Sequence, residues 1–162
     1  MNTLKTPDHL FSLLPNPKTE NWKYTNIRKF LPKELAINDK KKVDLKHSTV
    51  WNNYIFKIKK TNCLDGFDLD KNSIYLKEEI FKKGLFLRNW KTGDVYRDKN
   101  NKKKRVSKLF LKNKFNNYKK MVYPLLVDAS DRILWIPGLL DGFGYDDFSK
   151  NNCIKISKEI LN

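Results

Sequence analysis

The side chains in this chain whose type and spacing suit chemistry are cationic, and most of them stand in one quarter of the sequence. Residues 82–120 contain fifteen Lys and Arg but only two acids, Asp94 and Asp98, so this window carries +13 of the formal net charge of +16. Cations at such density bind polyanions by displacing condensed counterions from phosphate groups. The window predicts a nucleic-acid partner, with a solvated Lys-rich face as the alternative.

Apolar side chains are threaded through the same window, which distinguishes it from an unfolded basic tail. Leu85, Leu87, Trp90, Tyr96 and Phe110 are examples, so the segment can fold while it carries the charge. The excess of Lys over Arg, 29 against 5, fits the composition bias of an AT-rich genome. That bias does not explain why four of the five Arg fall between residues 88 and 132, where a rigid planar donor is useful for binding phosphate.

Residues that could support catalysis or hold a metal form no recognisable site. Asp128, Asp131, Asp141, Asp146 and Asp147 stand in sequences typical of turns. The two cysteines and two histidines lack metal-ligand spacing, and we expect Cys63 and Cys153 to be free buried thiols. The chain has neither a nucleophile triad nor a Gly-rich phosphate loop. The sequence therefore predicts no catalytic residue, no metal and no cofactor; an enzyme with an unrecognised site is an alternative that would show a deep pocket with clustered titratable groups.

The length of 162 residues and a hydrophobic content of 40% fit one domain, or one domain with an extension. No apolar run approaches the roughly 20 residues that span a bilayer, and the first residues lack a signal pattern. We expect a cytoplasmic protein without membrane contact.

The pattern of apolar residues predicts an α+β fold, with a small mixed sheet of short strands and one or two packed helices. Val106 begins a helix with Ser107 and Lys108 outside and Leu109, Phe110 and Leu111 inward. Residues 98–104 read as a solvated basic loop, and residues 91–94 and 128–131 read as turns. The predicted strands cover residues 50–58, 73–76, 84–88, 124–127, 132–136 and, as a last edge strand, 153–156.

The chain divides by composition near residue 45. Residues 1–45 are predicted to be a helical extension followed by a Lys-rich linker, with helices over 7–14 and 19–31 that Pro residues interrupt. Residues 46–162 are predicted to form the RNA-binding domain.

Four segments between residues 85 and 138 carry a resemblance to a known family. They read R-x-W-x-x-G-D-x-Y from Arg88, K-K-R-V-S-K-L-F from Lys103, P-L-L-V from Pro124 and I-x-W-I-x-G from Ile133. In this order and at this spacing they closely resemble the C-terminal domain of tRNA(Ile)-lysidine synthetases, the TilS family. The match is close over residues 85–138 and loose over residues 67–156.

The resemblance implies a tRNA-binding module that grips the acceptor end of tRNA. The family's ATP pyrophosphatase domain attaches lysine to the wobble cytidine, but its Ser-Gly-Gly-x-Asp-Ser loop is absent here, so a separate catalytic lysidine synthetase chain is a second candidate partner. Trp90, Gly93, Asp94, Trp135 and Gly138 match the family's segments, and we interpret them as structural. The candidate RNA-binding residues are Arg88, Lys91, Arg97, Lys102, Lys103, Lys104, Arg105 and Lys108.

Two departures from the family pattern affect the basic segment. The Pro-Leu-Gly stretch that usually follows the Gly-Asp turn is replaced by residues 97–101, and the Pro and Arg before the P-L-L strand are replaced around residues 115–122. The geometry of this loop and any contact of the missing Arg therefore cannot be carried over.

Residues 15–31 resemble a different family. Their P-x-P-K-T-E-N-W-K-Y-T sequence is similar to the N-terminal helix of SufD-type iron–sulfur assembly proteins, whose long β-helical scaffold this chain is too short to contain. An ordinary amphipathic helix anchored by Trp22 and Tyr24 explains the same residues. The resemblance gives the alternative function, a protein-interaction component of iron–sulfur cluster assembly.

Overall fold

The computed structural model describes residues 40–62, 70–140 and 152–161, which fold into short strands and helices. The strands are, in chain order, β1 (Lys40–Lys42), β2 (Thr49–Trp51), β3 (Tyr54–Asn62), β4 (Ser73–Lys77), β5 (Leu85–Asn89), β6 (Val95–Arg97), β7 (Lys103–Arg105), β8 (Pro124–Asp128), β9 (Ile133–Trp135) and β10 (Asn152–Ile160). The helices are α1 (Glu78–Lys82), α2 (Val106–Lys112) and α3 (Asn117–Val122). The predicted α+β class is confirmed.

The strands form two four-stranded sheets and a two-stranded ribbon. The first sheet has the order β1-β5-β8-β9, the second has the order β2-β3-β10-β4, and the ribbon pairs β6 with β7. Every pairing among the described strands is antiparallel, in place of the single mixed sheet that the sequence suggested. Short turns join β2 to β3, β6 to β7 and β8 to β9, and such turns favour antiparallel pairing.

The first sheet is the middle of three layers. Leu87, Leu126 and Trp135 pack from one of its faces against the second sheet, where Phe56 meets the Trp135 ring edge-on at 6.5 Å. The opposite face of the first sheet carries Leu125 and Val127 and is covered by the ribbon and by helices α2 and α3. Alternation along β8 thus supplies both cores, as expected for a strand buried on its two faces.

A register shift in the β8–β9 hairpin places two side chains that are two residues apart in different cores. Ile133 lies opposite Val127 and Trp135 lies opposite Leu126, with an irregularity between Leu126 and Val127. One extra residue in a strand turns the following side chains to the other face of the sheet. Ile133 therefore joins the core below the helices while Trp135 joins the core between the sheets.

The structure corrects several predictions about individual elements. Residues 40–42, predicted as part of a linker, form β1 and pair with residues 86–88 of β5. The last strand was predicted as an edge strand, but β10 lies inside the second sheet, where it pairs with β3 on one side and with β4 on the other. The predicted strand over residues 50–58 is divided by a turn in which Asn52 has a φ of 49°. Lys103 and Lys104, predicted as the end of a loop, belong to strand β7.

The remaining predictions about organisation lie partly outside the described residues. The helices predicted over residues 7–14 and 19–31 fall there, as does Cys63, and the division near residue 45 stays a prediction. Cys153 is buried. None of the helices in the described ranges is long and apolar enough to cross a membrane.

Candidate nucleic-acid interface

Arg88 is the first correction to the candidate site, because it is buried. It lies in the middle of β5 and is 1% exposed. Its Nε donates to Asp131 Oδ1 at 2.8 Å, and its Nη1 and Nη2 donate to Asp94 Oδ2 and Oδ1 at 2.8 and 3.0 Å. Burial by itself would lower the pKa of Arg88, but the bonds to Asp94 and Asp131 raise it. Arg88 is therefore a charged residue that links β5 to Asp94 and Asp131 inside the protein.

Asp94 connects Arg88 to the turn that precedes the ribbon. Its Oδ2 also accepts a hydrogen bond from the Lys91 backbone N–H at 2.7 Å, and its carbonyl oxygen accepts from Val106 N–H at 3.0 Å. Gly93 stands inside the turn with a φ of +94°, a value that favours glycine. The Arg88–Asp94 pair thus fixes where the ribbon and helix α2 leave the first sheet.

The other residues of this segment that match the family have packing roles, as interpreted from the sequence. Trp90 is half-buried and its ring meets Phe110 of α2 edge-on at 5.8 Å. Trp135 is fully buried and donates from Nε1 to the Leu140 carbonyl at 3.1 Å. Gly138 has a φ of +80°.

The ribbon presents cations on one of its faces. Its register pairs Val95 with Arg105, Tyr96 with Lys104 and Arg97 with Lys103. Tyr96 is buried in the core below the helices. Since side chains alternate along a strand, Arg97, Lys103 and Arg105 project to the opposite side, and all three are exposed.

Asp98 closes the loop between the two ribbon strands. Its Oδ1 accepts from the N–H groups of Asn100 and Lys102, both at 2.9 Å, and its Oδ2 lies 2.9 Å from Lys104 Nζ. The hydrogen bond from Lys104 is the main cause that lowers the pKa of Asp98. Lys104 is therefore already paired, while the exposed Lys102 contributes its backbone to the loop and leaves its ammonium group in solvent.

Helix α2 continues directly from β7 and extends the cationic surface. Val106 and Phe110 are buried, so Lys108 and Lys112, four residues apart, share an exposed side of the helix. Leu111 is 71% exposed, which corrects the prediction that it points inward. A helix of seven residues buries only the positions on one narrow stripe, and Leu111 lies off it.

Residues 95–122 form the basic face of the molecule. They contain eleven Lys and Arg and a single acid, Asp98. Within the described ranges, nine of these cations have no carboxylate within 4 Å, namely Lys99, Lys102, Lys103, Arg105, Lys108, Lys112, Lys114, Lys119 and Lys120. Lys91, in the turn before the ribbon, is exposed and lies 4.0 Å from Asp131.

The structure thus brings six of the eight candidate residues together on the ribbon and at the start of α2, places Lys91 at the adjoining turn and removes Arg88. The candidate set omitted Lys99, Lys112, Lys114, Lys119 and Lys120, although they stand in the same charged window. The sequence shows how many cations this window contains, but only the structure shows that they follow the ribbon residues along the same surface segment.

In the part of the chain that is described, no group of three or more His, Cys, Asp or Glu could hold a metal ion.

Comparison with known proteins agrees with this fold. No protein-family model matches the chain. A stretch of 56 residues, 34% of this chain, is 43% identical to the tRNA(Ile)-lysidine synthase of Shouchella clausii (strain KSM-K16), and it spans only 12% of that protein. The fold matches the crystal structure of a TilS C-terminal domain with a TM-score of 0.62 at 20% identity, covering 68% of this chain and 86% of the other. The chain therefore carries a TilS C-terminal-like domain, as the sequence resemblance predicted.

Proposed function

We propose that this protein contains a tRNA-binding module that acts in tRNA modification. The similarity to a segment of tRNA(Ile)-lysidine synthase and the TilS C-terminal-like fold support this assignment. By the same resemblance, the bound part of the tRNA is the acceptor stem. The lysine-attaching chemistry would belong to a separate catalytic chain, and the module would work with it in the cytoplasm.

The observation that carries the proposal is the basic face. Nine of its cations lack a carboxylate neighbour among the described residues, so their charge is not neutralised within the protein. Each phosphate that such a cation contacts releases condensed counterions, which gives a favourable and salt-dependent free energy of binding. The ribbon and α2 hold these charges on a folded platform, because Val106 and Phe110 anchor the segment in the core.

The spacing of the cations on the basic face suits contact with the phosphates of a double-stranded stem better than recognition of individual bases. Lys103 and Arg105 are two residues apart on β7, so their Cα atoms lie roughly 6.6 Å apart along the strand. Lys108 and Lys112 continue the series along α2. Double-stranded RNA is recognised mainly through its A-form shape, its phosphates and its 2′-hydroxyl groups, because its major groove is too narrow for side chains.

A salt titration of binding tests the proposal. The affinity for bulk tRNA is measured over a range of salt concentrations, with double-stranded DNA of equal length as competitor. We expect a preference for tRNA and a steep fall of log K with log salt concentration. The variant Lys103→Gln, Arg105→Gln should flatten that slope by roughly two units, since each lost phosphate contact removes about 0.7–0.9.

Lys59→Gln provides the matched control. Lys59 is also an exposed lysine on a strand, without a carboxylate within 4 Å among the described residues, but it lies on β3 of the second sheet. This substitution should leave the slope unchanged. Equal binding of tRNA and DNA would reduce the basic face to a generic polyanion surface, and absence of binding at low salt would refute the proposed function.

A further inference from the structure

A cleft of about 770 Å³ lies beside the basic face, where the ribbon, the β8–β9 hairpin and the β4–α1 segment meet. The apolar part of its lining, here called the floor, includes Leu76, Ile80 and Leu134. The cationic side of the ribbon, here called the ribbon wall, and the hairpin turn at residues 130–132 supply the rest of the lining. Small-molecule sites have volumes of roughly 300–1,000 Å³ and combine an apolar surface with a few polar groups, so this cleft has the size and lining of a ligand site.

The uncompensated charge of the cleft is confined to the ribbon wall. Arg88 is neutralised by Asp94 and Asp131, and the Arg132 Nε atom lies 3.0 Å from Asp128. Lys99 and Lys103, by contrast, have no carboxylate within 4 Å in the described part of the chain. A ligand that fits this arrangement has an apolar planar or aliphatic part for the floor and an anionic part for one wall.

A nucleotide combines a planar base, which suits the apolar floor, with an anionic phosphate, which suits the cationic ribbon wall. Arg97 and Lys103 line the cleft and also belong to the basic face. A nucleic-acid strand whose phosphates follow the ribbon would therefore already be at the opening of the cleft. Bases inside a stem are stacked and paired, so only an unpaired nucleotide can leave the stack without a large cost.

We propose that this cleft binds an unpaired nucleotide of the RNA that lies on the basic face, with the base on the apolar floor and its phosphate on Lys99 and Lys103. This inference rests on the proposed function for the source of the nucleotide. The same cleft chemistry would also accept a free mononucleotide, so the experiment distinguishes the two sources.

The test compares RNA hairpins that share one stem and differ only in a blunt end or a three-nucleotide single-stranded 3′ end. Binding of adenosine monophosphate is measured separately by calorimetry. Two variants fill the cleft without changing its charge: Val95→Trp from the ribbon wall, where Val95 is 45% exposed, and Ser130→Trp from the exposed hairpin turn. Val50→Trp, at a 40% exposed position of β2 outside the cleft, is the control for the added ring.

We expect the wild-type protein to bind the overhang hairpin roughly tenfold more tightly than the blunt one, as burial of one base can provide. Both cleft-filling variants should lose this preference and keep their affinity for the blunt stem, whereas Val50→Trp should retain the preference. Binding of adenosine monophosphate that both variants abolish, without an overhang preference, would support the nucleotide site and assign it to a free nucleotide.

The outcomes that overturn the inference differ from those that overturn the proposed function. If stems bind but the wild-type protein shows neither an overhang preference nor affinity for adenosine monophosphate, the cleft is not a nucleotide site. A preference that survives in both cleft-filling variants also refutes it. If no stem binds at all, the proposed function fails. The adenosine monophosphate titration alone then tests whether the cleft binds a nucleotide.

Discussion

Arg88 and Asp94 are joined by two parallel hydrogen bonds, from Nη1 to Oδ2 at 2.8 Å and from Nη2 to Oδ1 at 3.0 Å. A guanidinium fork bonded to a carboxylate in this way fixes both the distance and the plane of the two groups. Because Asp94 also holds the Lys91 N–H and, through its carbonyl, the first residue of α2, the pair sets the position of the ribbon relative to the first sheet. The position of the basic face therefore depends on a cation that is itself buried.

Replacing Arg88 should destabilise the fold. Arg88→Ala leaves Asp94 without its main partner and Asp131 without a hydrogen bond, and breaking a buried ion pair from one side costs about 3–5 kcal/mol. Arg88→Lys should recover only part of this loss, since an ammonium group cannot bond both carboxylates with the geometry of a guanidinium. Urea unfolding at neutral pH measures the free energy of unfolding of each variant.

Arg132 is the control for this series. It too lies about 3 Å from an aspartate, Asp128, but its side chain is 65% exposed. Exposed ion pairs contribute at most about 1 kcal/mol, so Arg132→Ala should change the free energy of unfolding much less than Arg88→Ala. Similar losses for the two variants would show that the buried pair has no special role in the fold.

Arg88 also shows where sequence reasoning reached its limit. Its position in a charged window made it a candidate for phosphate contact, and its neighbours Asp94 and Asp131 were interpreted as turn residues. Asp131 lies 43 positions away, and only the pairing of β5 with β8 brings the hairpin turn next to Arg88. No local pattern distinguishes a cation that binds a ligand from one that is neutralised by a distant acid.

The elements with strong local signals were predicted best. The β8–β9 hairpin and β5 were located from continuous apolar runs bounded by turn residues, and the residues around Gly93 were predicted as a turn. β1 and β7 consist of exposed basic residues, so apolar periodicity could not reveal them, and they exist because they complete the hydrogen bonding of neighbouring strands. The position of β10 between two strands is likewise a property of the sheet and not of its own sequence.

Gly93 and Gly138, which both belong to the family-like segments, should differ in how strongly a substitution by alanine destabilises the protein. Gly93 has a φ of +94°, and a Cβ added there would project into open space, so Gly93→Ala carries backbone strain alone, about 1–2 kcal/mol. At Gly138, with a φ of +80°, an added Cβ would lie 2.8 Å from Lys158 Nζ and 3.0 Å from the Tyr123 hydroxyl. That hydroxyl donates a hydrogen bond to the Pro137 carbonyl and cannot move freely.

Gly138→Ala should therefore lower the melting temperature more than Gly93→Ala. The combination Gly138→Ala with Tyr123→Phe separates the causes, because removing the hydroxyl relieves the close contact but not the backbone strain. Equal melting temperatures of the two single glycine variants would contradict this prediction, because they would mean that the contacts of Lys158 and Tyr123 with the added Cβ cost nothing.

The Asp98 carboxyl should titrate with a pKa below its ordinary value of 3.8, and Lys104 should be the reason. A lowered pKa in the folded state means that this carboxylate stabilises the protein above pH about 3.8 and that the contribution is lost as the pH falls through the folded pKa. A carboxyl-carbon NMR titration measures that pKa. It should rise toward the ordinary value in Lys104→Gln and stay low in Lys102→Gln, since Lys102 acts through its backbone N–H. An unchanged pKa in Lys104→Gln would contradict this assignment.

Asp98 should also limit the affinity of the basic face for RNA. In Asp98→Asn the amide oxygen can still accept the N–H groups of Asn100 and Lys102, so the loop is kept, but Lys104 loses its carboxylate and becomes available to a phosphate. We expect tighter tRNA binding and a salt slope steeper by roughly one unit. Glu159→Gln is the matched control, because it releases Lys57 from an equally close pair on the second sheet, away from the ribbon. An equal gain in both variants would mean that tRNA responds to net charge alone, whereas a gain confined to Asp98→Asn would locate its phosphates at the ribbon.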